Sequence, residues 1–208
     1  MISERLKAIS ENYAPLCEHA ECYVHFGTRM DEDGTIAIGH NPKIAPEYFV
    51  FTIFPPAPQD RIVARRSYET PAEYLRFLKV MNGCFAYRMS LYGFGSLLLD
   101  RTRLQCHDLT KANEHWCHGF QIRERLFHFG SRSYSISENV GYFMEAGGGV
   151  RSLLQSGREV QRWDDFASFL RDELVAAEEY HKKNEERYIK LFADSREQAQ
   201  KRAKRRKL

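Results

Sequence analysis

Hydrophobic residues between Thr70 and Tyr92 follow two different periods along the chain. In the first half they recur at intervals of three and four, as on one face of an α-helix: Tyr74, Phe77, Leu78 and Met81. After Asn82-Gly83 the period becomes two, as in a β-strand, with Phe85, Tyr87, Met89 and Leu91 on one side and Ala86, Arg88, Ser90 and Tyr92 on the other. The pattern predicts a helix that ends at Asn82-Gly83 and passes directly into a strand.

Residues at both ends of this helix are of the types that terminate helices. Thr70 and Glu73 have the spacing of a capping box, in which two side chains satisfy free backbone N–H groups. Pro71 falls at the first helical position, where its missing N–H is not needed. Gly83 predicts a left-handed cap, because glycine enters that conformation without a Cβ clash.

Similar patterns predict the remaining elements. Residues 2–17 have helical spacing, although Pro15 disturbs the end of that helix, and the polar region 110–125 is partly helical. Turns are predicted at "DEDG" (31–34), "PPAP" (55–58), "GGG" (147–149) and "SGRE" (156–159). The strands predicted between them are residues 22–27, 35–39, 47–54, 84–92, 96–100, 125–130, 140–146, 150–155 and 160–163.

The last helix is predicted to begin after Asp164 or Asp165, either of which is a suitable N-cap. Its core face is formed by Phe166, Phe169, Leu170, Leu174 and Ala177. Beyond that point the helix is highly charged, and its remaining apolar residues either pack on the body or form a docking stripe: Tyr180, Tyr188, Ile189, Leu191 and Phe192.

These elements predict an α+β fold with a central, mostly antiparallel sheet, flanking helices and a long charged C-terminal helix. We expect a single domain over residues 1–193, followed by a basic, disordered tail at 194–208. No apolar run approaches the length that spans a bilayer, so no membrane association is expected. Five cysteines at irregular spacings, with no signal-peptide segment, indicate reduced thiols and a cytoplasmic protein.

The formal net charge of +3 conceals two oppositely charged regions. Six of the 31 basic residues lie in the last eight positions, which contain no acid. Residues 1–200 therefore carry 25 basic against 28 acidic residues, a net charge of about −3. The tail is a candidate for non-specific contact with nucleic-acid phosphates through Lys201, Arg202, Lys204, Arg205, Arg206 and Lys207.

No motif in the sequence defines a catalytic or cofactor site. "GFGSLL" (93–98) follows a strand, but Leu98 replaces the third small residue of a dinucleotide fingerprint. No Gly-x-Ser-x-Gly elbow or Walker motif is present. The one group of soft metal ligands has irregular spacing, and surface histidines and buried thiols explain it better than a metal site: Cys106, His107, His115, Cys117 and His118.

Four segments, in this order, resemble the SUKH superfamily, which includes Smi/Knr-type fungal cell-wall regulators and bacterial immunity proteins: "PAEYLRFLKVMNG", "MSLYGFG", "GYFMEAGGGVRSL" and "RWDDFASFLRDEL". The matching residues are Pro71, Tyr74, Phe77, Leu78, Asn82, Gly83, Leu91, Tyr92, Gly93, Trp163, Phe166 and Leu170. The resemblance covers about residues 70–175 and leaves residues 20–65 as a strand-rich addition. The family's Trp-Leu-Pro-Phe-Ala segment is not recognisable, because "RLFHFGSRSYSISENVGYF" stands in its place.

The resemblance implies a SUKH-like sheet, no catalytic residues, no cofactor, and a protein partner such as a toxin domain. We therefore predict a non-enzymatic protein-binding domain, with the motif residues serving the architecture. Two alternatives stay open. One is a nucleic-acid-associated protein that binds through the basic tail, and the other is an unrecognised hydrolase or metal-binding enzyme.

Overall fold

A nine-stranded antiparallel sheet forms the centre of the described part of the protein. The computed structural model describes residues 2–45, 48–63, 69–95, 106–114, 119–122, 124–135 and 138–205. Neighbouring strands in the sheet are also neighbours in sequence. Six of the eight connections are short, as in hairpins, whereas the two connections after the third and fifth strands contain helices. The strands are β1 (Thr28–Met30), β2 (Ile36–His40), β3 (Phe49–Ile53), β4 (Cys84–Ala86), β5 (Met89–Leu91), β6 (Phe127–Ser135), β7 (Glu138–Met144), β8 (Val150–Leu154) and β9 (Glu159–Trp163).

Three helices pack together on one face of this sheet. The described helices are α1 (Ile2–Glu21), α2 (Gln59–Val63), α3 (Ala72–Val80), α4 (Leu109–Glu114) and α5 (Phe166–Arg205), with a short 3₁₀ helix at Val24–Phe26. The ring of Phe77 on α3 lies 5.4 Å from Tyr13 on α1 and 5.5 Å from Phe166 on α5, between centroids. Phe166 also lies 5.6 Å from Phe129 on β6. These aromatic contacts join the helices to the sheet, so the predicted α+β class with flanking helices is confirmed.

The opposite face of the sheet is covered in part by α4 and the segment after it. The side-chain amide of Asn113 donates to the carbonyl of His128 on β6 and accepts from the N–H of the same residue. Phe120 packs on His128 and Phe143, at centroid distances of 5.3 and 5.1 Å. The helix α4 and the segment after it therefore cover the half of this face that is formed by β6 to β8.

The helix predicted before Asn82-Gly83 forms as α3, but its caps differ from the prediction. Pro71 is the N-cap residue and no side chain bonds to the helix end there, so the Thr70–Glu73 capping box is wrong. Met81, with an extended φ of −151°, ends the helix. Gly83 has the predicted positive φ, at +89°, but it serves the chain reversal after the helix instead of the cap itself.

The single strand predicted over residues 84–92 is wrong, because the chain reverses at Tyr87-Arg88 and forms the β4–β5 hairpin. Two-residue hairpin turns require a positive φ, and Tyr87 adopts one at +56°. Its N–H donates to Val50 on β3 and its ring packs 4.8 Å from Phe51. Tertiary contacts to β3 therefore hold a tyrosine in a conformation that its type disfavours.

Two N-terminal predictions are also corrected. Residues 22–27 do not form a strand, because Val24–Phe26 is a 3₁₀ helix and the strand before the "DEDG" turn is β1. The first helix is predicted to stop near residue 17, whereas α1 continues to Glu21 after a kink with Tyr13 at φ −138° and ψ 56°. Pro15 causes a kink instead of an end, since it removes one helix hydrogen bond. The strand predicted at 96–100 lies outside the described residues.

The later strands and the final helix follow the sequence prediction. Strands β6 to β9 overlap the predicted ones, and the turns contain Gly148 and Gly157 with positive φ. Asp165 caps α5 by accepting from the N–H of Ser168 at 2.7 Å, which lowers the pKa of the Asp165 carboxyl. The predicted core face is buried at every position: Phe166, Phe169, Leu170, Leu174 and Ala177.

The charged half of α5 remains on the body for several turns beyond this core face. Lys182 pairs with Glu178 at 2.8 Å. The ring of Tyr188 lies 5.0 Å from the guanidinium carbon of Arg88, so at this position the helix packs back on the hairpin. The backbone is helical as far as Arg205, within the stretch for which the sequence analysis predicts a disordered tail. This stretch contains no Gly or Pro, and most of its residues are Ala, Arg, Gln, Glu and Lys, which favour helix.

Candidate functional site

Cross-strand pairing brings a row of small polar residues onto the sheet face that the helices leave open. Thr52 pairs with Phe85, and Phe85 pairs with Ser90 across the β4–β5 hairpin. Ser90 pairs in turn with Ser131 on β6. Directly opposed residues of antiparallel strands point to the same face, so three hydroxyl-bearing side chains and one phenyl ring share this row.

The row forms part of the floor of a cleft of about 370 Å³, which we call the sheet cleft. It lies over β3 to β6, beside the half of the face that α4 covers. Its lining consists of Tyr48, Phe49, Thr52, Phe85, Tyr87, Arg88, Met89, Ser90, His107, Ser131 and Ser133. These residues combine aromatic surface with hydroxyl groups, and none of them is an acid.

His107 forms one wall of the sheet cleft. Its Nδ1 lies 3.3 Å from Oγ of Ser90, and its ring lies 5.4 Å from each of Phe85 and Tyr92. Burial lowers the pKa of His107, so the imidazole is neutral at pH 7. Within the described part of the chain no carboxylate contacts this ring, and Ser90 and His107 form a pair without the third group of a catalytic triad.

Arg88 supplies the positive charge of the sheet cleft. It follows Tyr87 in the β4–β5 turn, and its Nε donates to the carbonyl of Ser133 at 3.2 Å. Its guanidinium also lies over the ring of Tyr188, a cation–π arrangement that leaves the planar N–H groups available. No carboxylate of the described residues forms an ion pair with Arg88. The hairpin and α5 together hold this cation at the cleft.

The residues of the SUKH-like motif come together in the core and not in the sheet cleft. Tyr74, Phe77 and Phe166 form an aromatic cluster between the helices and the sheet, with centroid separations of 5.1 to 5.8 Å. The other motif residues that are buried in the same core are Leu78, Leu91, Tyr92, Trp163 and Leu170. Their surroundings fit the architectural role that the sequence analysis gives them.

The Asn-Gly pair after α3 has a more specific role than a helix cap. The amide of Asn82 donates to the carbonyl of Phe94 at 2.8 Å and accepts from its N–H at 2.7 Å. Gly93 lies so close to Asn82 that a Cβ at this position would overlap the Asn82 carbonyl. Asn82 therefore fixes the path of the chain as it leaves β5, and Gly93 permits the close approach.

The described members of the cysteine–histidine group point to different places. The Cys106 sulfur lies 3.6 Å from the carbonyl of Phe94, and burial raises the pKa of this thiol to about 12. His107 faces Ser90 in the sheet cleft instead. His115, Cys117 and His118 lie outside the described residues. Among the residues that are described, no three His, Cys, Asp or Glu side chains are arranged to hold a metal ion.

For the basic tail the structure describes the course of the backbone only. Lys201, Arg202, Lys204 and Arg205 continue the helix α5, whereas Arg206 and Lys207 lie beyond the described part of the chain. In the part of the chain that is described, no helix is both long enough and apolar enough to cross a membrane.

Sequence reasoning missed the sheet cleft because it treated residues 84–92 as one strand. In a continuous strand Phe85 and Ser90 lie on opposite faces, whereas the hairpin makes them direct partners on one face. The available sequence signal was the set of small hydroxyl residues within strands: Thr52, Ser90, Ser131 and Ser133.

Comparisons with known proteins give no relative from which a function can be transferred. No protein-family model, curated protein or solved structure matches this chain. The resemblance to the SUKH superfamily therefore stays a prediction, and the function has to be argued from the sheet cleft itself.

Proposed function

We propose that this chain is a non-enzymatic protein-binding domain and that a partner protein binds in the sheet cleft. The observation that carries the proposal is the composition of the cleft. Aromatic rings of Phe49 and Phe85, the guanidinium of Arg88 and several hydroxyls line one concavity on a sheet face. Aromatic residues and arginine are the types enriched at protein interfaces, where they supply most of the binding energy.

The position of the cleft favours binding because its floor is rigid. Strands β3 to β6 pair along its length, and α1, α3 and α5 support them from behind. A surface held in one conformation loses little entropy when a partner docks. A partner therefore meets a preformed site.

The resemblance to SUKH-type proteins suggests the class of partner. In that class the domain acts as an immunity or regulatory protein, and we propose that this chain neutralises or regulates a protein such as a toxin domain. A cytoplasmic location is part of the proposal. It is supported by the described cysteines Cys17, Cys22, Cys84 and Cys106, none of which forms a disulfide.

Co-expression with the products of neighbouring genes tests this function. A candidate that forms a stable complex is then measured against Ser133→Trp, which fills the cleft, and Val175→Trp, which adds the same ring at an exposed position of α5 that is 46% accessible. We expect Ser133→Trp to abolish the complex and Val175→Trp to leave it intact. A complex that tolerates both changes equally places the interface elsewhere and refutes the proposal.

A hydrolase is the second candidate, and one observation favours it. Oγ of Ser90 lies 3.3 Å from Nδ1 of His107, a distance at which histidine acts as a base toward serine. Treatment with a fluorophosphonate probe separates the two functions. A hydrolase would lose labelling in Ser90→Ala and keep it in Ser131→Ala, whereas a binding domain shows no labelling at Ser90.

A further inference from the structure

We infer that the sheet cleft selects an acidic side chain, so that the partner presents an Asp or Glu carboxylate to Arg88. The inference rests on the proposed function and specifies the chemistry of the partner. Its basis is the contrast between the charge of the cleft and the charge of the protein around it.

The sheet cleft is positive, although most of the chain is negative. Residues 1–200 carry about −3, as the excess of acids over bases gives. The lining of the cleft contains one arginine, one neutral histidine and no carboxylate. The nearby carboxylate of Glu185 on α5 accepts a hydrogen bond from Asn41 at 2.7 Å. An incoming anion therefore meets no carboxylate in the lining, and the Glu185 charge, which acts on Tyr48 of the lining, lies outside it.

The cleft also offers hydrogen-bond donors in suitable positions. Nε of Arg88 bonds to Ser133, and this contact orients the guanidinium and leaves both terminal amino groups for a ligand. A guanidinium in fixed orientation binds a carboxylate through two parallel N–H···O bonds. The Ser90 hydroxyl and Nδ1 of His107 share a hydrogen bond at 3.3 Å. In either tautomer of the neutral ring one donor of this pair, Nε2–H of His107 or O–H of Ser90, stays available to a ligand.

The floor of the cleft favours an acidic side chain over a chain terminus. Sites that capture a terminal carboxylate use free backbone N–H groups. Here the strand amides around Ser90 and Ser131 belong to the β4–β5–β6 ladder, so the donors are side chains. An extended acidic side chain reaches them from a partner whose backbone remains outside the cleft.

The inference is tested by titrating the ¹⁵N-labelled protein with four short peptides and measuring the changes in its amide chemical shifts. The peptides are Ac-Gly-Glu-Glu-Gly-NH₂, its Gln and Lys analogues, and Ac-Gly-Gly-Gly-Gly-OH, which carries only a terminal carboxylate. We expect the Glu peptide alone to shift residues 88–91, 107 and 131–133. Equal shifts with the Gln, Lys or terminal-carboxylate peptide, or no shifts at these residues, overturn the inference.

Arginine variants assign the effect to one side chain. Arg88→Gln should lower the affinity for the Glu peptide about tenfold, because a charged hydrogen-bonding partner is lost. Arg88→Lys should restore part of this affinity. The matched control is Arg171→Gln, because Arg171 lies on the exposed side of α5 and pairs with Asp172. Unchanged affinity in Arg88→Gln refutes the inference. Substitution of Arg88 also removes its contact with Tyr188. Salt therefore provides an independent test, because the affinity of the unmodified chain for the Glu peptide should fall as ionic strength rises.

The inference and the proposed function fail in different ways. A partner complex that Ser133→Trp blocks and Arg88→Gln does not weaken keeps the protein-binding function and refutes the acidic specificity. A complex that Ser133→Trp does not affect refutes both.

Discussion

The phenolic oxygen of Tyr74 lies 2.6 Å from the carbonyl oxygen of Tyr92 and 3.0 Å from that of Phe129. Tyr74 is fully buried on α3, whereas Tyr92 follows β5 and Phe129 lies on β6. One hydroxyl therefore joins a helix to two adjacent strands, directly behind the floor of the sheet cleft.

Removing this hydroxyl should destabilise the protein without changing its core packing. Tyr74→Phe keeps the ring and loses the buried hydrogen bonds, so we expect the free energy of unfolding to fall by about 1–2 kcal/mol. Chemical denaturation measures the change. Tyr13→Phe is the control, because Tyr13 packs on the same core and its hydroxyl bonds to no described group. Equal losses in both variants would contradict the role given to Tyr74.

Gly83 should tolerate substitution by alanine much less well than a glycine whose only role is to end a helix. A methyl group at Gly83 would lie 2.7 Å from the carbonyl oxygen of Leu91, and its φ is +89°. The left-handed conformation alone costs about 1–2 kcal/mol, and the backbone contact adds to this. We expect Gly83→Ala to cost more than about 2 kcal/mol and Gly147→Ala to cost less than about 0.5 kcal/mol. In thermal melts only Gly83→Ala should lower Tm clearly, since a Cβ at Gly147 meets nothing within 4 Å.

A buried ion pair connects α5 to the sheet. Glu173, 1% exposed, accepts hydrogen bonds from Arg132 at 2.5 Å and from the hydroxyl of Tyr142 at 2.7 Å. Glu173→Gln removes the counter-charge that bonds to the buried Arg132, and we expect a loss of about 3–5 kcal/mol. The neighbouring change Asp172→Asn alters an exposed acid and should cost less than about 0.5 kcal/mol. Urea unfolding of both variants checks this, and a small effect of Glu173→Gln would be inconsistent with a buried charge.

The free energy of unfolding should decrease as the pH is lowered, over a pH range set by the pKa of His128. Burial lowers the pKa of His128 from 6.5 to about 4, so between these values the unfolded chain binds a proton that the folded chain excludes. The stability contributed by neutral His128 is complete above pH 6.5 and is lost as pH falls toward 4, by up to about 3 kcal/mol. Burial lowers the pKa of His181 as well, which adds a change of the same sign.

Urea unfolding at a series of pH values measures this window. His128→Phe should flatten the decline between pH 6.5 and 4, and His25→Asn, at an exposed position, should leave it unchanged. A decline confined to pH below 4 would assign the acid sensitivity to carboxylates such as Asp165.

The basic end of α5 provides a test of nucleic-acid association. If residues 201–208 bind phosphates, their deletion should abolish binding to duplex DNA, and binding by the full chain should weaken steeply with salt. Fluorescence anisotropy with a labelled duplex measures both effects. Binding that survives the deletion, or that ignores salt, would exclude this mechanism.

Sequence periodicity predicted the elements whose formation depends on neighbouring residues. The core face of α5 is an example, since Phe166, Phe169 and Leu170 are buried as their spacing requires. The strands on either side of the "GGG" turn form as predicted because glycine makes the reversal there without strain. The resemblance motif drew attention to Tyr74 and Asn82, and both make contacts that hold the core together.

The features that sequence reasoning missed depend on residues far apart in the chain. Tyr87 has no turn-forming character of its own, and its positive φ is held by packing against Phe51 and a hydrogen bond to Val50. The pairing of Arg132 with Glu173 likewise requires α5 to lie across β6. Neither contact leaves a local pattern, because the partners are separated by more than 30 positions.

By itself, the sequence determined the α+β class, the hydrophobic faces of α3 and α5, and the turns that contain glycine, since each depends on the conformational preferences of a few adjacent residues. Only the tertiary structure decided that the chain reverses at Tyr87-Arg88. That reversal places Phe85 and Ser90 on one face, next to Ser131, and creates the sheet cleft. The physical reason is that strand pairing, and not residue order, decides which side chains share a surface.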